Sequence, residues 1–328
     1  HPKTAILFAL GYINLGEITK AERCLEILTK SIFFNRRKNF AFVGAPFRHY
    51  YSLRPLLFYE KGSPNTLLTA LAGKAFLKIY ENTYDNYYLQ MAEKLANFFT
   101  LKNSYLELNN EICYKYFVGS SCLLVHNANT AAASFLMAAS KHKLKNSKIY
   151  EQHANKALNH TLNQQFKSGG FPYFSRDDPI YGGNPFVDNF HNGFVILDLI
   201  DCYFLGKREL LRNITKALKF QLLMFNRDFS PRRSLDIPLP QDIHDISVGI
   251  LTFTRASYIL PKMLKIAKGI LSYALKSFSD KSGLFIYQRS LRGLRNKSTY
   301  LRWNQAWMFL ALTEYIKRME SSGNVLVS

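Results

Sequence analysis

Two short segments of this chain set carboxylates beside imidazoles. Asp188-Asn189-Phe190-His191-Asn192 places Asp188 three residues before His191, and Asp242-Ile243-His244-Asp245 flanks His244 with two carboxyls. Groups of this kind do one of two chemistries. A glycoside hydrolase needs two carboxyls across the scissile bond, about 5 Å apart for retention or about 6.5–9.5 Å for inversion, and Asp188 with Asp242 or Asp245 would supply them. A lyase or C5-epimerase needs a base and an acid around the α-carbon of a uronate whose carboxylate is neutralised. His191, His244 and Tyr173 or Tyr287 would then exchange the proton, while Asn127, Asn129 and Arg302 hold the carboxylate.

Both segments open an apolar helical run, and so do three others: Pro64-Asn65-Thr66, His126-Asn127-Ala128-Asn129 and Arg302-Trp303-Asn304. The openings at Asn65, Asn127, Asn189, Asp242 and Trp303 are spaced 62, 62, 53 and 61 residues apart. A period of this length signals an array of one supersecondary unit. The unit is a helical hairpin: Asn65 to Tyr80 is apolar nearly all round, as a buried helix is, and Tyr87 to Thr100 carries its charges on one face. Asn127 to Lys141 with Ile149 to Gln165, His191 to Leu205 with Lys207 to Phe225, and Asp245 to Leu260 with Lys262 to Phe278 repeat it. Trp303 to Met319 supplies a last inner helix and Ala5 to Ser31 an opening pair. The expected fold is an all-α (α/α) toroid of five to six hairpins, forming one domain across residues 1–328, with short strands in the cleft loops.

In a toroid every inner helix starts at the same end, so all five polar clusters meet there. Asn, Asp, Ser and Thr are the preferred N-cap residues, but capping accounts for one residue per helix. The surplus groups, among them Asn65, His126, Asn127, Asn129 and Asn189, are expected to face a ligand in a cleft with a few convergent polar groups. Three loops join them: Asn39 to Asn65 with Arg48, His49, Tyr50 and Tyr51; Gln164 to Tyr173; and Ser282 to Arg289, read as a strand that brings Tyr287 and Arg289 in front of Arg302 and Trp303. Aromatic faces beside Asn, Asp and Arg suit a sugar ring, which stacks by its apolar face and bonds through its hydroxyls. Asp198 and Asp201, mid-helix among Leu and Ile, are read as buried contacts to a neighbouring helix.

The 328 residues, 48% of them apolar and 15% aromatic, suffice for a large core. No apolar run is long enough to span a membrane, so the chain is expected to be cytoplasmic, with Cys24, Cys113, Cys122 and Cys202 as buried thiols. The net charge of +20 implies an anionic partner: an acidic saccharide first, with peripheral contact to an anionic membrane surface also expected. Nucleic acid is not expected, for lack of any helix-turn-helix, zinc or RNP-type motif. The absence of HExxH, paired CxxC and GxGxxG patterns predicts neither metal nor nucleotide cofactor.

The stretches AFVGAPF, GSPNTLLTALAGKAFLKIYE, VHNAN, QQFKSGGFPYF, FVDNFHNGFVILDLID, QDIHDISVGI and YLRWNQAWMFLAL resemble the α/α-toroid proteins encoded in exopolysaccharide and capsule clusters, often labelled polysaccharide biosynthesis or prenyltransferase-like proteins. The resemblance runs from about Phe42 to Tyr315 and implies a toroid acting in surface polysaccharide metabolism. It also implies a fold-level kinship with six-hairpin glycosidases, sugar 2-epimerases and uronate lyases. The prenyltransferase label fits the segment Gln165 to Phe171, which is similar to the QW repeat of triterpene cyclases. Leu235-Asp236-Ile237-Pro238 departs from their DxDD acid motif. Two further readings stand beside catalysis on a saccharide: a protein that only binds a glycan or lipid-linked intermediate, and an isoprenoid-binding protein.

Overall fold

The computed structural model describes all residues except 52–53, 120–122, 291–293 and 324–328, and for 49–51 and 54–58 the backbone alone. Cys122 and the side chains of His49, Tyr50 and Tyr51 therefore lie outside the described residues. Cys113 and Cys202 are buried and Cys24 is half-buried.

The expected toroid is present. Six inner helices, α1 (Pro2–Asn14), α3 (Thr66–Thr83), α5 (His126–Ser140), α7 (Asn189–Phe204), α9 (Ile243–Ala256) and α11 (Ala306–Ser321), pack side by side in a ring that closes where α11 meets α1. Five outer helices surround it: α2 (Ile18–Thr29), α4 (Asn86–Phe99), α6 (Ser147–Leu162), α8 (Leu211–Leu222) and α10 (Met263–Ser277). The apolar inner helices are buried on almost every side, as α5 shows with thirteen of its fifteen residues buried. None of the described helices is long and apolar enough to cross a membrane.

Connections from outer to inner helices carry antiparallel strand pairs: β1 (Ile32–Asn35) with β2 (Phe40–Val43), β3 (His49–Tyr51) with β4 (Arg54–Tyr59), and β5 (Tyr105–Leu108) with β6 (Glu111–Tyr114). A three-stranded ribbon joins β7 (Gln241–Asp242), β8 (Gln288–Arg289) and β9 (Arg295–Asn296) in the order β7-β8-β9.

The lumen of the ring is layered, because each inner helix lends it residues one turn apart. At the N-terminal end lie the His, Asp and aromatic residues described below. Beneath them Leu67, Leu71, Phe194, Leu197, Leu251 and Leu310 surround a chamber of 110 Å³. Lower still is a ring of charge. Lys74 Nζ lies 2.6 Å from Asp198 and 3.0 Å from Asp201, Arg255 bridges Asp201 and Glu314, and Asn14 donates to Glu314 at 3.1 Å. Thr130 and Ser134 donate to Asp198 at 3.0 and 2.8 Å. Asp198 and Asp201 thus make the interhelical contacts expected of them, and the side chains tying the ring come from all six inner helices.

Candidate active site at the N-terminal ends of the inner helices

Asp188 and Asp242 cap α7 and α9. Asp188 Oδ1 accepts the His191 amide at 2.8 Å and Asp242 Oδ1 accepts the His244 amide at 2.8 Å, each satisfying a donor that the first helical turn leaves open. Gly193 lets α7 and α9 approach: a Cβ there would stand 2.5 Å from Val248 Cγ1. The two capped ends are thereby brought together.

Capping leaves Asp188 with a second oxygen, and it is spent on the imidazole: Oδ2 accepts from His191 Nδ1 at 2.6 Å. Asp188 is buried and the His191 side chain keeps 21% of its surface exposed. Burial works to raise the Asp188 pKa, but His191 and Arg233 outweigh it and hold the carboxyl below its ordinary value. The Tyr173 ring stacks on His191 at 4.1 Å. The result is an oriented imidazole, gripped through Nδ1 and partly open to solvent, an arrangement suited to a general base.

Asp242 is held differently. Beyond the His244 amide it accepts from Trp303 Nε1 at 3.1 Å and, through Oδ2, from Gln288 at 2.8 Å. Burial still raises its pKa against these donors. Trp303 reaches it because residues Leu301–Gln305 form a π-helical turn ahead of α11, a local widening frequent at functional sites. Tyr287 stands edge-on to Tyr300 at 5.3 Å and to Trp303 at 6.5 Å, and burial, then Asp242, push its hydroxyl pKa up.

His244 is sandwiched: Phe190 stacks on it at 4.5 Å and 7°, while Trp303 meets it edge-on at 4.2 Å. Among the described residues neither of its ring nitrogens has a hydrogen-bond partner. Burial, then the charges of Lys3 and His191, push its pKa far down, so it is neutral at neutral pH. Asp245 is fully buried and neither carboxyl oxygen meets a donor in hydrogen-bonding geometry, though the Phe190 amide approaches it. Burial, then the neighbouring Asp242, raise its pKa far above the carboxylate range, favouring the protonated acid. A raised folded-state pKa contributes stability below the ordinary value near 4 that is lost as pH rises through the folded value. Asp245→Asn is therefore expected to raise the midpoint of thermal unfolding at pH 7 by a few degrees, with the gain shrinking as pH falls toward 4, read by calorimetry across that range.

Several expected ligand groups prove to be architecture. His126 is completely buried between α5 and α6, bonded through Nδ1 to Thr161 at 3.1 Å and through Nε2 to Gln164 at 3.1 Å, and burial drives its pKa to about 3. Asn129 accepts the Tyr114 amide at 3.0 Å and donates to Ala157 O and Thr161 Oγ1. Asn189 donates to Met224 O and Arg232 O and accepts from Gln221 at 2.6 Å. An amide carries donors and an acceptor at once, which suits these positions for tying an inner helix to the outer helix that follows it and to neighbouring loops. Asn65 caps α3 through the Leu68 amide at 2.8 Å. Arg289 turns away: successive strand residues face opposite sides, so Gln288 meets Asp242 and Arg289 donates to Tyr273 at 3.3 Å on the outer side. Asn127 lines the lumen one layer below the cluster.

Two cations belong to the site that carried no periodic signal. Arg233, from the irregular segment ahead of β7, lies 4.7 Å over the Phe190 ring and acts electrostatically on Asp188, Asp242, Asp245 and His244. Lys3, in the first turn of α1, is half-buried, and burial, then the charge of Arg302, lower its pKa to about 8. Arg302 is exposed, 5.1 Å over the Phe47 ring. Among the described residues neither Lys3 nor Arg302 meets a carboxylate.

No family model matches the sequence, and no curated protein matches it. Solved structures do match, at low identity. The chain is similar to a cellobiose 2-epimerase from Bacillus thermoamylovorans B4167, with 13% identity, TM-score 0.71, and coverage of 95% of this chain and 86% of that one. It is similar to a GH76 α-mannanase of Bacteroides thetaiotaomicron, with 13% identity, TM-score 0.69, and coverage of 97% and 87%. An unsaturated glucuronyl hydrolase specific for heparin gives 14% identity, TM-score 0.65, and coverage of 98% and 86%. At these identities the likeness establishes the fold alone: the chain is an (α/α) toroid.

Proposed function

We propose that this protein is an enzyme of surface polysaccharide metabolism that moves a carbon-bound proton on an acidic saccharide, as an epimerase, isomerase or lyase does. The observation that carries the reading is the Asp188–His191 pair, a buried carboxylate gripping an exposed imidazole at 2.6 Å. Hydrolysis fits the same residues less well. A nucleophile or base needs a carboxylate oxygen free to reach the sugar; both oxygens of Asp188 and of Asp242 are already hydrogen-bonded within the protein, and Asp245, whose oxygens carry no such bonds among the described residues, is fully buried. His191 takes the proton, Tyr287 is the candidate donor on the other face, and Tyr173 and Trp303 offer rings to the sugar.

The acidic character of the substrate rests on Lys3 and Arg302, two cations at the rim without a carboxylate of their own. A uronate carboxylate bridging them would be neutralised as it must be for its α-proton to leave. Lys3 loses its charge as pH passes about 8, so KM for a uronate substrate is expected to rise about tenfold between pH 7 and pH 9. Lys3→Met should raise KM at pH 7 and flatten that rise. Steady-state kinetics on uronate-containing oligosaccharides would measure it, and a KM that ignores pH in the unaltered protein contradicts the role. We place the protein in the cytoplasm, where Cys24 and Cys202 would persist as thiols. The likeness to enzymes titled epimerase, mannanase and glucuronyl hydrolase agrees with a saccharide substrate.

A further inference from the structure

The β1–β2 hairpin keeps seven consecutive residues exposed, Phe33-Phe34-Asn35-Arg36-Arg37-Lys38-Asn39. Phe33 and Phe34 leave 48% and 49% of their surface in water, a cost the toroid core does not require of them. The hairpin is nonetheless firmly built. Asn35 Oδ1 accepts the Lys38 amide at 3.1 Å, closing the turn, and Asn97 on α4 donates to Asn39 O at 2.9 Å. Phe33 stacks on Phe42 at 5.5 Å and Lys94 lies 6.0 Å over the Phe34 ring. Among the described residues Arg36, Arg37 and Lys38 meet no carboxylate.

We infer that this hairpin docks the protein on an anionic lipid bilayer, with Arg36, Arg37 and Lys38 meeting the headgroups and Phe33 and Phe34 entering the interfacial layer. Three adjacent unpaired cations on a chain of net charge +20 complement a surface of anionic lipid. Exposed rings on the two faces of the hairpin, beside these cations, choose the bilayer over a soluble polyanion. A soluble polyanion would engage the cations and cover at most one ring face with a sugar, leaving most of the exposed apolar surface of the two Phe side chains in water. A bilayer takes up both, by electrostatic attraction and by burial of apolar surface. The inference stands apart from the cleft chemistry and from the identity of its saccharide.

Co-sedimentation of the full chain with phosphatidylcholine vesicles, and with vesicles containing about one-third phosphatidylglycerol, tests it at physiological salt. The protein is expected to partition onto the anionic vesicles and not the neutral ones. Arg36→Glu, Arg37→Glu and Lys38→Glu together should weaken that partition about 100-fold or more, and Phe33→Ser with Phe34→Ser about tenfold. All five side chains are exposed, so the unfolding midpoint should stay within a few degrees and serves as the folding control. Failure of the unaltered protein to prefer anionic vesicles overturns the inference without any variant. So does loss with the charge variant but not the Phe variant, which would mark a purely electrostatic patch, and so does equal sensitivity of both variants in binding to soluble alginate.

Discussion

His191→Ala is expected to lower kcat by about 10³-fold, the range contributed by a positioned general base, with KM changed by far less. The imidazole is the partly exposed partner of a buried carboxylate, so under the proposed function its removal deletes the proton acceptor, at the cost of its ring contacts with Tyr173 and Phe190. Asp188→Asn should lower kcat by about 10²-fold and shift the acidic limb of the pH–rate profile. The amide still caps α7 but no longer stabilises the imidazolium or fixes the tautomer. A purely structural role for Asp188 would lower the unfolding midpoint without moving that limb. Both variants are checked by steady-state kinetics once a substrate is in hand, with circular dichroism as the folding control.

The second large effect lies at the other end of the lumen. Lys74→Met leaves Asp198 and Asp201 facing the ring, with Arg255 bonded to Asp201 and Lys78 acting on it from nearby, and breaking a buried pair by removing one partner costs about 3 kcal/mol. For a chain of this size that lowers the unfolding midpoint by about 5 °C, measured by differential scanning calorimetry at pH 7. Burial alone would raise the Asp201 pKa, but Lys74 and then Arg255 hold it at about 2. A depressed folded-state pKa gives stability that is present above the ordinary value near 4 and lost as pH falls through the folded value. The difference between the two proteins should therefore narrow between pH 4 and pH 2. Ten residues of α7 separate Asp201 from His191, about 15 Å along the helix, so kcat below the transition should be unchanged.

The toroid was legible because its signals are local and repeated: an N-cap residue, an apolar helix, a polar turn and an amphipathic helix, recurring with one period. Asp188 and Asp242 were found for the same reason, since a cap fixes where a side chain stands. The Asn residues were harder. An amide at the start of an inner helix can face the lumen, as Asn127 does, or tie the helix to its neighbours, as Asn129 and Asn189 do, and about half a turn of rotation decides. Arg289 was misplaced by strand parity, which two paired residues are too few to reveal in sequence. Arg233 and Lys3 sit outside the repeat, one in an irregular loop and one in the first turn of the chain, and only closure of the ring brings them to the site. The lack of hydrogen-bond partners, among the described residues, at the His244 ring nitrogens and the Asp245 carboxyl oxygens depends on packing across three helices and left no mark on residue spacing.

The most direct test of proton transfer is incubation with uronate-containing and neutral oligosaccharides in deuterium oxide, followed by mass spectrometry and proton NMR of the recovered sugars. Uptake of one deuteron at a single carbon position, or a new double bond, is expected on a uronate-containing sugar, with neither seen for His191→Ala. New reducing ends without deuterium incorporation or unsaturation, still formed by His191→Ala, would contradict proton transfer and make the site a hydrolase.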